Sequence, residues 1–112
     1  MKKILPQGRV IIYGFLQKRS KYIHFCKTLF CILTNHYLFA FTGVENDADC
    51  TMALELSTVL EIIEVEARNE TKKAFAIRTT ANTYFFRAEN IDIMNKWKNE
   101  LKKLIDNNKK SI

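Results

Sequence analysis

Between Tyr13 and Leu33, two apolar, β-branched and aromatic runs flank a short basic break, Lys18-Arg19-Ser20-Lys21. Runs of this kind around a few polar residues predict a β-hairpin. Successive side chains of a strand point to opposite faces. Leu16 and Lys18 therefore share one face of the first strand, and Lys27, Leu29, Cys31 and Leu33 one face of the second. With the apolar members turned to a core, Lys18 and Lys27 lie at its open rim. The first strand opens at Arg9-Val10-Ile11-Ile12-Tyr13, after Pro6-Gln7-Gly8. It is apolar on both faces, the pattern of a strand shared between two packed sheets.

The same patterning continues downstream. Thr34-Asn35-His36 predicts a turn in which Asn tolerates unusual dihedrals, followed by a third strand, Tyr37-Leu38-Phe39-Ala40-Phe41. A polar acidic loop, Gly43 to Asp49, leads to strands at Cys50–Leu56 and Val59–Ala67 around Ser57-Thr58. In the second of these, Glu61, Glu64 and Glu66 alternate with Leu60, Ile63 and Val65, and the slip at Ile62 predicts a bulge. After the charged segment from Arg68 to Lys73, Ala74–Thr79 and Thr83–Arg87 predict a last hairpin. The fold class is mainly β: seven short antiparallel strands in a barrel or sandwich.

The period changes after Ala88. Asn90 is placed to cap a helix, with Asp92 in the first turn at the positive end of the dipole. Ile93 or Met94, Trp97, Leu101, and Leu104 or Ile105 recur every three to four residues and define one apolar face, flanked by Lys96, Lys98, Lys102 and Lys103. The helix is expected to end near Asp106-Asn107-Asn108 and to cap the open end of the barrel with that face. Lying on a membrane is the competing role for a basic amphipathic helix.

Charge changes the picture more than composition does. The first 44 residues hold seven Lys/Arg and no Asp or Glu, whereas the rest hold eleven against twelve, for a net charge of +6. That asymmetry points to an anionic partner, beyond the scattered lysines that merely discourage edge pairing. No stretch reaches the ~20 apolar residues of a membrane-spanning helix. Met1 to Pro6 reads as neither a signal peptide nor a myristoylation site. Cys26, Cys31 and Cys50 are expected to be free thiols of the core, since Cys26 and Cys31 fall on opposite faces of one strand. Neither CxxC spacing nor a His/Cys cluster is present, so no metal or cofactor is expected.

Taken together, Gly14-Phe-Leu-Gln-Lys18, Phe30-Cys-Ile-Leu33, Leu38-Phe-Ala-Phe41 and Trp97 in a C-terminal helix resemble the pleckstrin-homology family over roughly residues 13–105. The ungapped interval from Gly14 to Cys26 most resembles the cytohesin-type members, which carry tryptophan where Cys26 stands. The resemblance implies a seven-stranded antiparallel barrel or sandwich capped by the helix. Residues 1–8 are then a leader, 9–107 the domain and 108–112 a frayed tail. Gly14, Leu16, Trp97 and Leu101 become structural positions.

In lipid-binding relatives, a lysine ending the first strand and a basic-x-Arg motif in the second hold inositol phosphates. Lys18 and Lys27 match the first two of those positions. Leu29 stands where the arginine is expected, and Ala40 where a third-strand tyrosine often contacts phosphate. A leucine cannot supply the bidentate, charge-assisted grip of a guanidinium.

The expected function is thus a non-catalytic signalling or adaptor module, cytoplasmic and peripheral at membranes. It binds phosphoinositides and other anionic lipids weakly and electrostatically through Lys18, Arg19, Lys21 and Lys27. Tyr22, Ile23 and Phe25 near the same loop either insert at the interface or begin the second strand. The alternative is a module that binds a protein partner, or another domain of a longer parent, without lipid. Nucleic acid is not an expected partner, for want of a docking helix or aromatic platform motif. Catalysis is not expected either, since no nucleophile constellation or Gly-rich phosphate loop is present.

Overall fold

The computed structural model describes residues 9–19, 26–65 and 74–110. Strands β1 (Val10–Arg19), β2 (Cys26–Thr34), β3 (Tyr37–Phe41) and β4 (Cys50–Glu55) are followed by a 3₁₀ turn, Leu56–Thr58. Then come β5 (Val59–Val65), β6 (Ala74–Thr79), β7 (Thr83–Arg87) and helix α1 (Ile91–Lys110). All seven strands form one antiparallel sheet in the order β4-β3-β2-β1-β7-β6-β5. The expected mainly-β fold is therefore the one observed. Register shifts at Val10/Ile12, Ala40/Phe41 and Val59/Glu61 are the bulges at which such a sheet bends.

The inward face carries the core. Ile12 and Leu16 from β1 meet Leu29, Cys31 and Leu33 from β2, Leu38 and Ala40 from β3, and Phe75, Ile77 and Phe86 from the far half of the sheet. The Phe75 and Phe86 rings stack at 5.7 Å. Helix α1 closes this core with Met94, Trp97, Leu101 and Ile105, which settles the two open positions of its stripe; Ile93 and Leu104 pack only partly. The helix rests against the 3₁₀ turn, β1, β5 and β6, and Lys98 bridges to Glu64 of β5 at 2.8 Å.

Trp97 is the keystone, with 1% of its surface exposed. Its Cζ2 lies 4.0 Å from where a Cβ would stand on Gly14. That is ordinary contact, so the glycine is needed for its φ of 158°, which L side chains rarely adopt.

Several details differ from the sequence expectation, each for a local reason. Lys18 and Arg19 are not in the turn: β1 pairs on through Lys18↔Lys27 and Arg19↔Cys26. Tyr22, Ile23 and Phe25 lie outside the described residues. β1 is not covered on both faces, because Tyr13 and Phe15 are 67% and 56% exposed on its outer side. The turn after β2 does not use left-handed Asn, since among the described residues only Gly14 has positive φ. Instead the Thr34 hydroxyl accepts from the His36 and Tyr37 amides and donates to the Tyr37 carbonyl.

The β5 bulge falls at Leu60 rather than Ile62, which turns Leu60 outward and Ile62 toward the core. Asn90 caps α1 as expected, its Oδ1 accepting from the Ile93 amide at 2.9 Å. The helix nevertheless runs on to Lys110, past the expected end and into the segment expected to fray. Neither Gly nor Pro follows Asp106 to stop it, and late lysines suit the negative end of the dipole.

The cysteines divide. Cys31 is buried and free, while Cys50 is free but exposed, so Cys50 is not a core thiol as expected; the Cys26 side chain lies outside the described set. Burial pushes the Cys31 thiol up from 9.0 to about 12, against smaller opposing effects of a backbone hydrogen bond and Lys18.

Three outcomes follow. Trp97→Ala should cost about 3–5 kcal/mol in chemical denaturation, a large share of a small domain's stability. Under native conditions Cys50 should alkylate and Cys31 should not, until denaturant is added. Because the folded thiol holds its proton more tightly than the unfolded one, its contribution to stability is complete below pH 9.0 and is lost as pH rises toward about 12. Wild type should lose stability across that window more steeply than Cys31→Ala.

Candidate functional site

The strand register builds the site. Leu16 and Leu29 face each other across β1 and β2, as do Lys18 and Lys27 two residues nearer the strand ends. Period-2 alternation puts both lysines on the inward face, immediately beyond the buried leucines. Lys18 also stands opposite Phe86 of β7. Its ammonium lies 5.4 Å from the centroid of the Tyr84 ring, a cation–π contact that steadies a half-buried charge. Lys27 is exposed. On β1 the helix packs farther back: Trp97 lies at Gly14, four residues before Lys18, or about 13 Å at strand rise.

Like charges placed directly across a ladder repel. Among the described residues no carboxylate relieves the pair. The ion pairs Arg78–Glu61, Lys98–Glu64 and Lys103–Glu100 involve neither lysine. An anion between the two ammonium groups would do so.

The opposing influence is the acidic loop. Phe41 pairs with Phe30, so the segment after it, with exposed Glu45, Asp47 and Asp49, leaves the sheet at the end where Lys27 lies. The Thr42 and Asp49 backbones close this loop at 2.9 Å. It holds three negative charges at the same end as the lysine pair and lowers its attraction for a second anion.

Of the four expected anion-binding residues, Lys18 and Lys27 are brought together. Arg19 is on the outer face of β1, opposite Cys26, and exposed; Lys21 lies outside the described residues. Leu29 is 3% exposed and Ala40 fully buried, so both belong to the core rather than to the rim. Tyr84 is the residue the sequence reading missed. Its signal was there: it is two residues before Phe86 on a strand, and so on the same inward face. Among the described residues no group of three or more His, Cys, Asp or Glu is arranged to hold a metal.

The PH domain family model matches residues 10–106, and the chain belongs to that family. Solved structures agree on the fold. The Slm1-PH domain in complex with inositol-4-phosphate is 24% identical, with a TM-score of 0.70 over 88% of this chain and 98% of that one. The same domain in complex with phosphoserine is 24% identical, with a TM-score of 0.72 over 87% and 96%. The activated truncation of Vav1 is 18% identical, with a TM-score of 0.78 over 89% of this chain but only 27% of its own. No curated protein matches the chain. These neighbours do not support the cytohesin-type likeness of the first hairpin, part of whose interval lies outside the described residues.

If the lysine pair is mutually repulsive, Lys27→Gln should raise stability by about 0.2–1 kcal/mol at low salt. Thermal unfolding at high salt should remove the difference. A variant less stable than wild type at low salt would contradict the repulsion.

Proposed function

We propose that this PH domain is a non-catalytic signalling or adaptor module that recruits its protein to anionic membranes. The attraction is electrostatic and weak, toward phosphoinositide and other acidic-lipid head groups, and centres on Lys18 and Lys27. Arg19 adds to the field from the other face of β1, and Lys21, outside the described residues, adds its charge. One observation carries this reading: two lysines without a carboxylate partner among the described residues, facing each other at the open rim. Slm1-PH, a domain of similar fold, was solved with inositol-4-phosphate and with phosphoserine, which supports a phosphorylated anion as the kind of ligand such a domain takes.

The weakness has three causes. Two ammonium groups are point charges and do not read the arrangement of phosphates on a ring. Leu29 withholds the fork of an arginine. The acidic loop opposes the field. Near an anionic leaflet each lysine still contributes about 1 kcal/mol. The module takes in residues 9–107 and works in the cytoplasm, peripheral at membranes. Among the described residues no helix is long and apolar enough to cross one.

Co-sedimentation with phosphatidylcholine vesicles carrying phosphatidylserine or single phosphoinositides, matched for total charge, tests the reading. Binding should follow charge rather than head group. It should fall steeply between low and physiological salt, where exposed charges are screened over about 8 Å. Lys18→Ala with Lys27→Ala should abolish it with the fold intact, as should the combination Lys18→Ala, Arg19→Ala and Lys21→Ala. Leu29→Arg should unfold the domain, because it places a guanidinium in the core. Tight, salt-resistant binding of one phosphoinositide would overturn electrostatic recognition. No binding to any anionic vesicle at low salt would leave the protein-interaction alternative.

A further inference from the structure

The face of the sheet turned away from the core is apolar where solvent-facing strands are usually polar. Phe15, Phe30 and Phe41 form one row across β1, β2 and β3, and Tyr13, Ile32 and Phe39 form the next. The rings touch along the rows and between them, with Phe15–Phe30 at 5.4 Å, Tyr13–Phe30 at 6.0 Å and Phe39–Phe41 at 6.3 Å. Ile32 of β2 and Phe41 of β3 are only 6% and 4% exposed, and Phe30 between Phe15 and Phe41 is half-buried. The β1 side is open, as the exposures of Tyr13 and Phe15 show. Phe85 of β7 is a further exposed ring on the neighbouring strand.

None of this contributes to the inward core or to the Lys18–Lys27 rim. A contiguous apolar patch of aromatic residues marks an interaction site, and aromatic and arginine enrichment with few carboxylates is the composition of an interface centre. The charged residues beside the open side supply the second half of the argument. Alternation places Arg19 on this face of β1, and Arg87 stands opposite Gln17, also on this face. Residues 9–44 contain no acid at all. A partner therefore meets an apolar strip edged on one side by positive charge. Three strands about 4.8 Å apart make the strip ~10 Å wide, the breadth of a single helix. The exposed rings sit in mid-strand on a sheet surface rather than at a loop tip, which disfavours insertion into a bilayer.

We propose that this outer face of β1–β2–β3 docks an amphipathic helix of a partner protein, whose apolar stripe covers Tyr13, Phe15 and Phe30 and whose flanking Asp or Glu residues meet Arg19 and Arg87. The site lies on the opposite face of β1 from the lysine pair and shares with the membrane reading only the charge of Arg19, so it stands whether or not that pair binds lipid.

Two synthetic helical peptides test it, sharing one leucine stripe at i, i+3, i+4 and i+7 but flanked by Glu in one and by Lys in the other. Fluorescence anisotropy with the full chain should show the Glu-flanked peptide binding at least tenfold more tightly. Tyr13→Thr with Phe15→Thr retains β propensity, and should weaken that binding at least tenfold while circular dichroism and vesicle binding stay unchanged. Arg87→Glu should reduce the preference for Glu flanks without touching the leucine contacts. The proposal is overturned if neither peptide binds, if both bind equally, or if the Thr variants bind as wild type does. It is equally overturned if those variants lose vesicle binding, which would make the face a membrane contact. A wild-type dimer in sedimentation that the Thr variants render monomeric would assign the face to a second copy instead. If the Thr variants fail to fold, Phe85→Thr and Arg87→Glu on β7 carry the same comparison.

Discussion

The fold depends on one contact, the Trp97 ring laid against the backbone of β1 at Gly14. β1 is the middle strand of seven, so a helix anchored there is anchored to the centre of the sheet. A bent sheet whose edge strands, β4 and β5, do not pair leaves a corner of the core to be closed by another element. Trp97, with Met94, Leu101 and Ile105, occupies that corner. The Lys98–Glu64 bridge then ties the same helix to edge strand β5. Fixing one end of the sheet this way is what leaves the other end free to carry charge.

That division of labour between the two ends explains why the lysine rim can exist. Like-charge pairs across a ladder are tolerated only where other interactions hold the strands in register. Here the buried Leu16–Leu29 step lies immediately before Lys18–Lys27, with the Gly14–Cys31 step before it. The core sets the register, and the lysines are carried along with it. Tyr84 adds a ring beneath one of them. The repulsion is thus a local cost retained within a stable frame, the circumstance in which functional sites usually depart from good local chemistry.

Much of this was legible from residues alone. The period-2 placement of Leu16 and Lys18 in β1 and of Lys27, Leu29, Cys31 and Leu33 in β2 identified the shared face, and the three-to-four spacing around Trp97 identified the helix stripe. What alternation cannot convey is which face of a strand stays uncovered. Both faces of β1 are apolar, and the natural reading is that both are buried; only the strand order leaves Tyr13 and Phe15 outside. A bulge is also invisible to pattern when two isoleucines adjoin, so Ile62 took the blame for a shift that occurs at Leu60. Arg19 was grouped with Lys18 by sequence adjacency, although adjacency in a strand means opposite faces. Tyr84 was missed because its partner, Lys18, is 66 residues away in the chain and only the β1–β7 pairing joins them.

The sheet order also accounts for where the carboxylates are. β4 and β5 are its two edges, and they carry Glu55 on one and Glu61 and Glu64 on the other, while β1, β2 and β3 carry none. An edge is where a foreign strand can add itself, and charge along it prevents this. Interior strands, paired on both sides, need no such guard. The acid-free strands β1, β2 and β3 are therefore the ones already protected by their neighbours, and they can be as basic and as aromatic as binding requires without making the protein prone to assemble into fibres.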